Sequence, residues 1–277
     1  MKNTKNTSVT DTPRNARNSE RDQFGIEPFE KGLIRFIENT NTPITIALQG
    51  EWGSGKTSLM NSLEERLCSK DDNQFFSIWL NTWEYSLMKS SQEALIAIIL
   101  GLINQTRVYA EKHSTKTENL KEASKKFAKT TLKILMKAGG NKIIDGLGED
   151  AVNNIFDSDE SSSIAEIRDA LQAIINETTD KANKKGFIFF IDDLDRIDPP
   201  IAVELLELLK NIFTLENCVF VLAIDYDVVI KGLEPKFGVF TEKNEREFRS
   251  FFDKIIQVPF SMPVNKYEVD GFIKDSL

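Results

Sequence analysis

Residues 44–57 read Ile44-Thr45-Ile46-Ala47-Leu48-Gln49-Gly50-Glu51-Trp52-Gly53-Ser54-Gly55-Lys56-Thr57, and their order decides the fold. A short β-prone run, 44–48, leads directly into a glycine-rich loop, and apolar residues at Leu59, Leu63 and Leu67 then recur at helical spacing. Strand, loop and helix in that order, with Gly50 to Thr57 fitting G-x-x-x-x-G-K-[ST], describe a loop that binds phosphate. Gly53 and Gly55 let the backbone curl until its amides face an anion. The helix amino terminus adds partial positive charge, and Lys56 supplies a full one. Thr57 stands where its hydroxyl can reach Mg²⁺.

A phosphate loop of this kind needs a carboxylate on a neighbouring strand to hold the metal. Phe187-Ile188-Phe189-Phe190-Ile191 is apolar at every position, as a central parallel strand covered on both faces requires, and it ends in Asp192-Asp193-Leu194-Asp195-Arg196. Asp192 is the expected magnesium residue. Asp193, pointing differently one position on, is the expected residue to polarise the attacking water. The alternative makes Asp193 or Asp195 a capping or ion-pairing residue near Arg196.

Asp225 ends the next apolar run, 218–224, where open α/β sheets bind ligands. It reads as a sensor of the terminal phosphate or, equally, as the cap of a helix beginning near Val228. Arg246 and Arg249 precede the last strand, a place from which an arginine finger can reach a neighbour's active site. The plainer reading is a surface helix with i,i+3 ion pairs. Trp52 and Trp83 read as packing residues, with Trp83 just past the second strand near the same crevice.

Working outward, residues 1–22 hold only Met1, Val9 and Ala16 as apolar residues and are expected to be a disordered polar tail, leaving 23–277 as one nucleotide-binding domain. Helices are expected over about 24–38, 92–106, 164–179 and 201–213, and further strands over 75–80, 187–191, 218–224 and 254–259. Strands alternating with helices predict a three-layer α/β fold, a mainly parallel sheet covered by helices on both faces. A helical insertion of about 107–163 lies between the two nucleotide motifs, Walker A and Walker B, with an acidic loop at Asp157-Ser158-Asp159-Glu160.

Composition narrows the class. The longest apolar run, Ala94 to Ile103, is ten residues, well short of the ~20 that span a bilayer as a helix. No secretory signal begins the chain, so the expected compartment is cytoplasmic. Cys68 and Cys218 read as reduced core residues, and a lone His113 argues against a zinc site. A net charge of −8 gives no general reason to bind nucleic acid. Residues 111–142 carry nine lysines and three glutamates, and 143–180 carry ten acids and Arg168. These read chiefly as two solvated faces that attract one another.

Four segments together resemble the KAP family of P-loop NTPases: the loop Gly50 to Ser58, Asn81-Thr82-Trp83-Glu84-Tyr85, Asp192-Asp193-Leu194-Asp195-Arg196, and Asp253-Lys254-Ile255-Ile256-Gln257-Val258-Pro259-Phe260. The tryptophan ahead of G-S-G-K together with D-D-L-D-R is far more specific than the loop alone. The resemblance implies an additional-strand ATPase with ATP and Mg²⁺ as ligands, a binding set of Gly50, Trp52, Gly53, Ser54, Gly55, Lys56, Thr57 and Ser58, and a catalytic role for Asp193. It also implies intracellular assemblies, in bacteria linked to phage exclusion or defence.

Many relatives carry paired transmembrane helices between the two motifs. Here 136 positions separate Lys56 from Asp192, but the insertion is charged and membrane attachment is not expected to carry over. Phe24-Gly25-Ile26-Glu27 stands where relatives often place a Gly-Arg pair, which predicts a hydrophobic contact to the base. The chain stops at Leu277 within a new helix expected from Val264, so the C-terminal helical region is expected to be incomplete.

The leading reading is ATP hydrolysis coupled to assembly or release of an unidentified protein partner, with a homo-oligomer among the candidate assemblies. Lys56, Thr57, Asp192 and Asp193 form its reaction centre. No Asn-Lys-x-Asp segment is present to read guanine, which favours ATP over GTP. The alternatives are a slow nucleotide switch or scaffold, and a DNA-acting motor using the lysine-rich stretch from Lys112 to Lys142.

Overall fold

The computed structural model describes residues 25–70, 73–85, 91–113, 115–122, 125 and 162–267. The expected tail at 1–22, the acidic loop at Asp157 to Glu160 and most of the 107–163 insertion lie outside the described residues.

Five strands, β1 (Ile44–Gln49), β2 (Phe75–Asn81), β3 (Gly186–Asp192), β4 (Cys218–Ile224) and β5 (Val258–Ser261), form one sheet in the order β2-β3-β4-β1-β5. All four pairings are parallel. They are accompanied by the helices α1 (Glu27–Asn39), α2 (Lys56–Leu67), α3 (Ser91–Lys112), α4 (Ser162–Ala182), α5 (Pro199–Leu209), α6 (Tyr226–Phe237) and α7 (Glu245–Asp253).

Crossover handedness explains which helix covers which face. The step from β1 to β2 runs across the sheet in one direction, and the steps β2 to β3, β3 to β4 and β4 to β5 run in the other. Right-handed connections therefore put α2 on one face and α3 to α7 on the opposite one. The core divides accordingly. Ile46, Leu48, Ile188, Phe190, Val219, Val221 and Ala223 pack with Leu33 and Ile37 of α1 and Leu59, Met60 and Leu63 of α2. Their strand neighbours Ala47, Phe187, Phe189, Ile191, Phe220 and Leu222 pack on the other side with α3 to α7.

Every residue of β3 and β4 is buried, which is why both strands read as unbroken apolar runs. Each buried phenylalanine there contributes roughly 1.5–3 kcal/mol of transfer free energy. At the start of β3 there is no room for a side chain. A Cβ on Gly186 would come within 1.8 Å of the Asn217 carbonyl oxygen.

Some boundaries differ from expectation. The helix expected over 201–213 is Pro199–Leu209; beyond it, hydrogen bonds from the Ile212 and Phe213 amides to the Leu209 carbonyl carry the chain round as turns, with both side chains in the core. The strand expected over 254–259 is Val258–Ser261, because the Ile255 and Ile256 amides bond to the Phe252 carbonyl and close α7. A short apolar run does not reveal by periodicity which element it joins. The helix expected from Val264 lies mostly outside the described residues; at its start a three-residue turn runs Val264–Lys266. Among the described residues no helix is long and apolar enough to cross a membrane.

Candidate functional site

The C-terminal ends of β1, β3 and β4 meet beside the amino terminus of α2. The register sets this arrangement, with Gln49 level with Ile224 and Asn81 level with Asp192. Between β1 and α2 the loop turns through Gly53 at φ 76° and Gly55 at φ 86°, left-handed values that disfavour any side chain. The helix α2 begins without a side-chain cap and with no acid in its first turn. Its first amides keep their hydrogen-bonding capacity for an anion.

Lys56 is buried at 8% exposure and its ammonium is fully engaged. It donates to the Gly50 carbonyl at 2.7 Å, the Glu51 carbonyl at 3.2 Å and Asp195 Oδ2 at 3.0 Å. Ser54, also buried, leaves its Oγ without a partner. From beyond β5 the Tyr267 hydroxyl donates to the Ser54 carbonyl at 2.6 Å. A cavity of about 650 Å³ opens between the loop residues Gln49 to Ser54, Asp225 and Tyr226 at the head of α6, and Met262 after β5.

Asp192 lies at the end of β3 with 4% exposure. Burial raises its carboxyl above the ordinary carboxylate range, while a hydrogen bond from the Thr57 hydroxyl works against the rise. It also accepts from the Asp193 amide at 2.8 Å. Thr57 and Asp192, the two expected metal ligands, are therefore in contact. A hydroxyl and one carboxylate are a fitting protein share for Mg²⁺, which takes its remaining oxygens from phosphates and water. Among the described residues no group of three or more His, Cys, Asp or Glu could hold a metal ion unaided. The loop curvature, the uncapped helix and this donor pair fit a Mg²⁺-nucleotide.

Asp193 adopts φ 59°, and this left-handed residue starts the short turn Leu194–Arg196. Its carboxylate pairs with Arg196 Nε at 2.6 Å and accepts a hydrogen bond from the Asn81 side chain. Burial nevertheless holds it above the ordinary carboxylate range. Asn81 in turn accepts from the Trp83 amide at 3.0 Å, and the Thr82 hydroxyl donates to the Asp192 carbonyl at 3.0 Å, so the ends of β2 and β3 are tied together. Arg196 lies over the Trp52 ring at 4.2 Å and within 5.4 Å of the Trp83 ring. Trp52 and Trp83 remain 62% and 46% exposed, so they form a rim around one cation and do not pack into the core.

The sequence reading thus placed Lys56, Thr57, Asp192 and Asp193 together, and the structure adds Asp195 and Arg196. The ion pairing that was the alternative for Asp193 is present, with Arg196 as its partner. Asp195 pairs with Lys56 and not with Arg196. Asp225 caps α6 by accepting from the Asp227 amide at 3.0 Å while also lining the cavity, so both of its readings persist. Arg249 pairs with Glu245 at 2.8 Å in an i,i+4 arrangement where i,i+3 pairing was expected; Arg246 is exposed. Both lie on α7, away from the loop in sequence, though Arg249 is close enough to influence the Tyr226 hydroxyl at the cavity.

Comparison with known proteins follows the same residues. The family model described as the KAP family P-loop domain matches residues 26–270. The phage T7 exclusion protein of Escherichia coli (strain K12) is 23% identical over 269 residues, covering 87% of this chain and 33% of that protein. The chain spans about a third of the length of that curated relative.

Proposed function

The chain belongs to the KAP family of P-loop domains, and from that premise we propose that it binds ATP with Mg²⁺, hydrolyses it, and couples the nucleotide state to assembly or release of an intracellular protein partner. The contact between the Thr57 hydroxyl and the buried Asp192 carboxylate supports this reading, because two residues far apart in sequence bring a hydroxyl and a carboxylate together next to a glycine-rich loop.

In this reading the loop from Gly50 to Ser58 cradles the phosphates through its amides, and Lys56 neutralises their charge. Thr57 and Asp192 would hold Mg²⁺, which supplies charge neutralisation across the terminal phosphates. Asp193 takes the proton side of the reaction by orienting a water, and Asn81 holds its carboxylate in place. Asp225 serves as sensor as well as cap, and Arg246 and Arg249 are candidate fingers toward a second copy of the chain. A part in phage exclusion is proposed from the name of the E. coli relative, and a cytoplasmic setting from the family resemblance.

Turnover of ATP tests the proposal in the wild type and in Asp193→Asn. The expected result is measurable hydrolysis that falls by roughly 10²- to 10⁴-fold in the variant, with ATP still bound. Lys56→Ala should lose nucleotide binding and serves as control. Wild-type turnover at background, with ATP bound, would overturn the hydrolase reading in favour of a slow switch. That second reading has its own support, since the Asp193 carboxylate is engaged in an ion pair with Arg196.

A further inference from the structure

Lys56 and Asp195 are 8% and 10% exposed, so their 3.0 Å ion pair is shielded from water. An ammonium has three protons to donate, and here two go to main-chain carbonyls of the loop itself and the third to Asp195. Among these three acceptors Asp195 is the one formal charge and the one side chain. It belongs to the turn that follows Asp192 and is close enough to act on the Asp192 carboxyl, so its pair with Lys56 lies beside the residue proposed to hold the metal, next to which a terminal phosphate would bind.

We infer that Asp195 is an internal competitor of the γ-phosphate: it holds Lys56 when the terminal phosphate position is empty, and ATP, unlike ADP, must displace it. The inference rests on the nucleotide-site reading above. A diphosphate can settle on the loop amides and leave the Lys56–Asp195 pair standing. A triphosphate brings oxygens to the place the carboxylate holds, and two anions do not share one ammonium proton.

Displacement reaches the surface by a short route. Asp195 and Arg196 are neighbours in a three-residue turn whose first residue, Leu194, is buried in the core. Moving Asp195 while Leu194 stays anchored disturbs the Arg196 contacts to Trp52, Trp83 and Asp193. The same movement that admits the γ-phosphate thereby loosens the arginine that occupies Asp193. Asp195 is thus a specificity-determining and positioning residue for the site.

Affinities for ATP and ADP, measured by titration without Mg²⁺ so that neither is turned over, test this in the wild type, Asp195→Asn and the exposed control Asp198→Asn. In Asp195→Asn the expected change is a roughly tenfold gain in ATP affinity with ADP affinity within about twofold, since the displaced ion pair is gone; Asp198→Asn should match the wild type. Unchanged or weaker ATP binding in Asp195→Asn, or an equal gain for ADP, would overturn the inference while leaving the nucleotide site intact. A wild type that binds neither nucleotide overturns the site itself and the inference with it. Tryptophan emission of the unmodified protein gives a test independent of variant folding. ATP should change it more than ADP does, since only ATP should release Arg196 from Trp52 and Trp83; equal responses to both would count against Asp195.

Discussion

At Asp192 burial and charge oppose one another, and the balance is visible in solution. Its folded carboxyl is raised above the ordinary range, first by desolvation, so the native state keeps a proton that the unfolded chain has already released. Native protein then binds more protons than unfolded protein in that window, and stability of the nucleotide-free form falls as pH rises from the ordinary carboxylate value through the raised one. Asp193 acts in the same sense. Urea midpoints collected from about pH 4 to about pH 8 should decline with pH in the wild type and decline less in Asp192→Asn. Thr57→Ala should lose roughly tenfold in Mg²⁺-dependent ATP affinity and little in Mg²⁺-free affinity, for a lost oxygen ligand and hydrogen bond. Titration with and without the metal separates the two. Thr57 and Asp192 were legible in sequence because each sits at a fixed place in a short pattern. The Lys56 pairing with Asp195 was not, because the two lie 139 positions apart and meet where the chain turns at Asp193 with φ 59°. Aspartate tolerates that conformation, but nothing in the sequence requires it.

The elements α1 and α2 are held to each other by a pair that no short pattern announced. Glu30 on α1 is 1% exposed and is bound by Arg66 from the last turn of α2. Glu30→Ala should remove the partner that orders Arg66 and leave a void, costing about 1–3 kcal/mol, read as a lower urea midpoint with an unchanged slope. Since α2 begins at Lys56, ATP affinity should fall in the same variant. At the start of β3 the constraint is steric. Gly186→Ala places a methyl group 1.8 Å from the Asn217 carbonyl, so the β3 entry must shift. A loss of about 2 kcal/mol or more is expected from overpacking against backbone, measured by thermal or urea unfolding. Element type and order were readable here because 187–191 and 218–224 are unbroken apolar runs and α1 and α2 are periodic. Ends were not, since Ile255 and Ile256 satisfy core packing as readily in a turn as in a strand.

For the whole molecule, ligand binding and stability are linked. A nucleotide that binds only the folded state at a hundred times its dissociation constant adds about 2.7 kcal/mol, which for a chain of this size raises the melting temperature by roughly 5–10 °C. ATP with Mg²⁺ should produce that shift in the wild type and none in Lys56→Ala, as followed by differential scanning calorimetry. The sheet order has a different consequence, which concerns the time at which the protein becomes itself. The strand that carries the phosphate loop has as its neighbours β4 and β5, with Ile44 beside Val219 and Ile46 beside Val258. Those partners are synthesised long after β1. During translation the loop waits without flanking strands until the β5 residues have left the ribosome, and non-local pairing of this kind closes slowly. Nucleotide competence therefore waits on the synthesis of β5, and β1 passes that interval as an unsatisfied apolar edge that a chaperone can recognise.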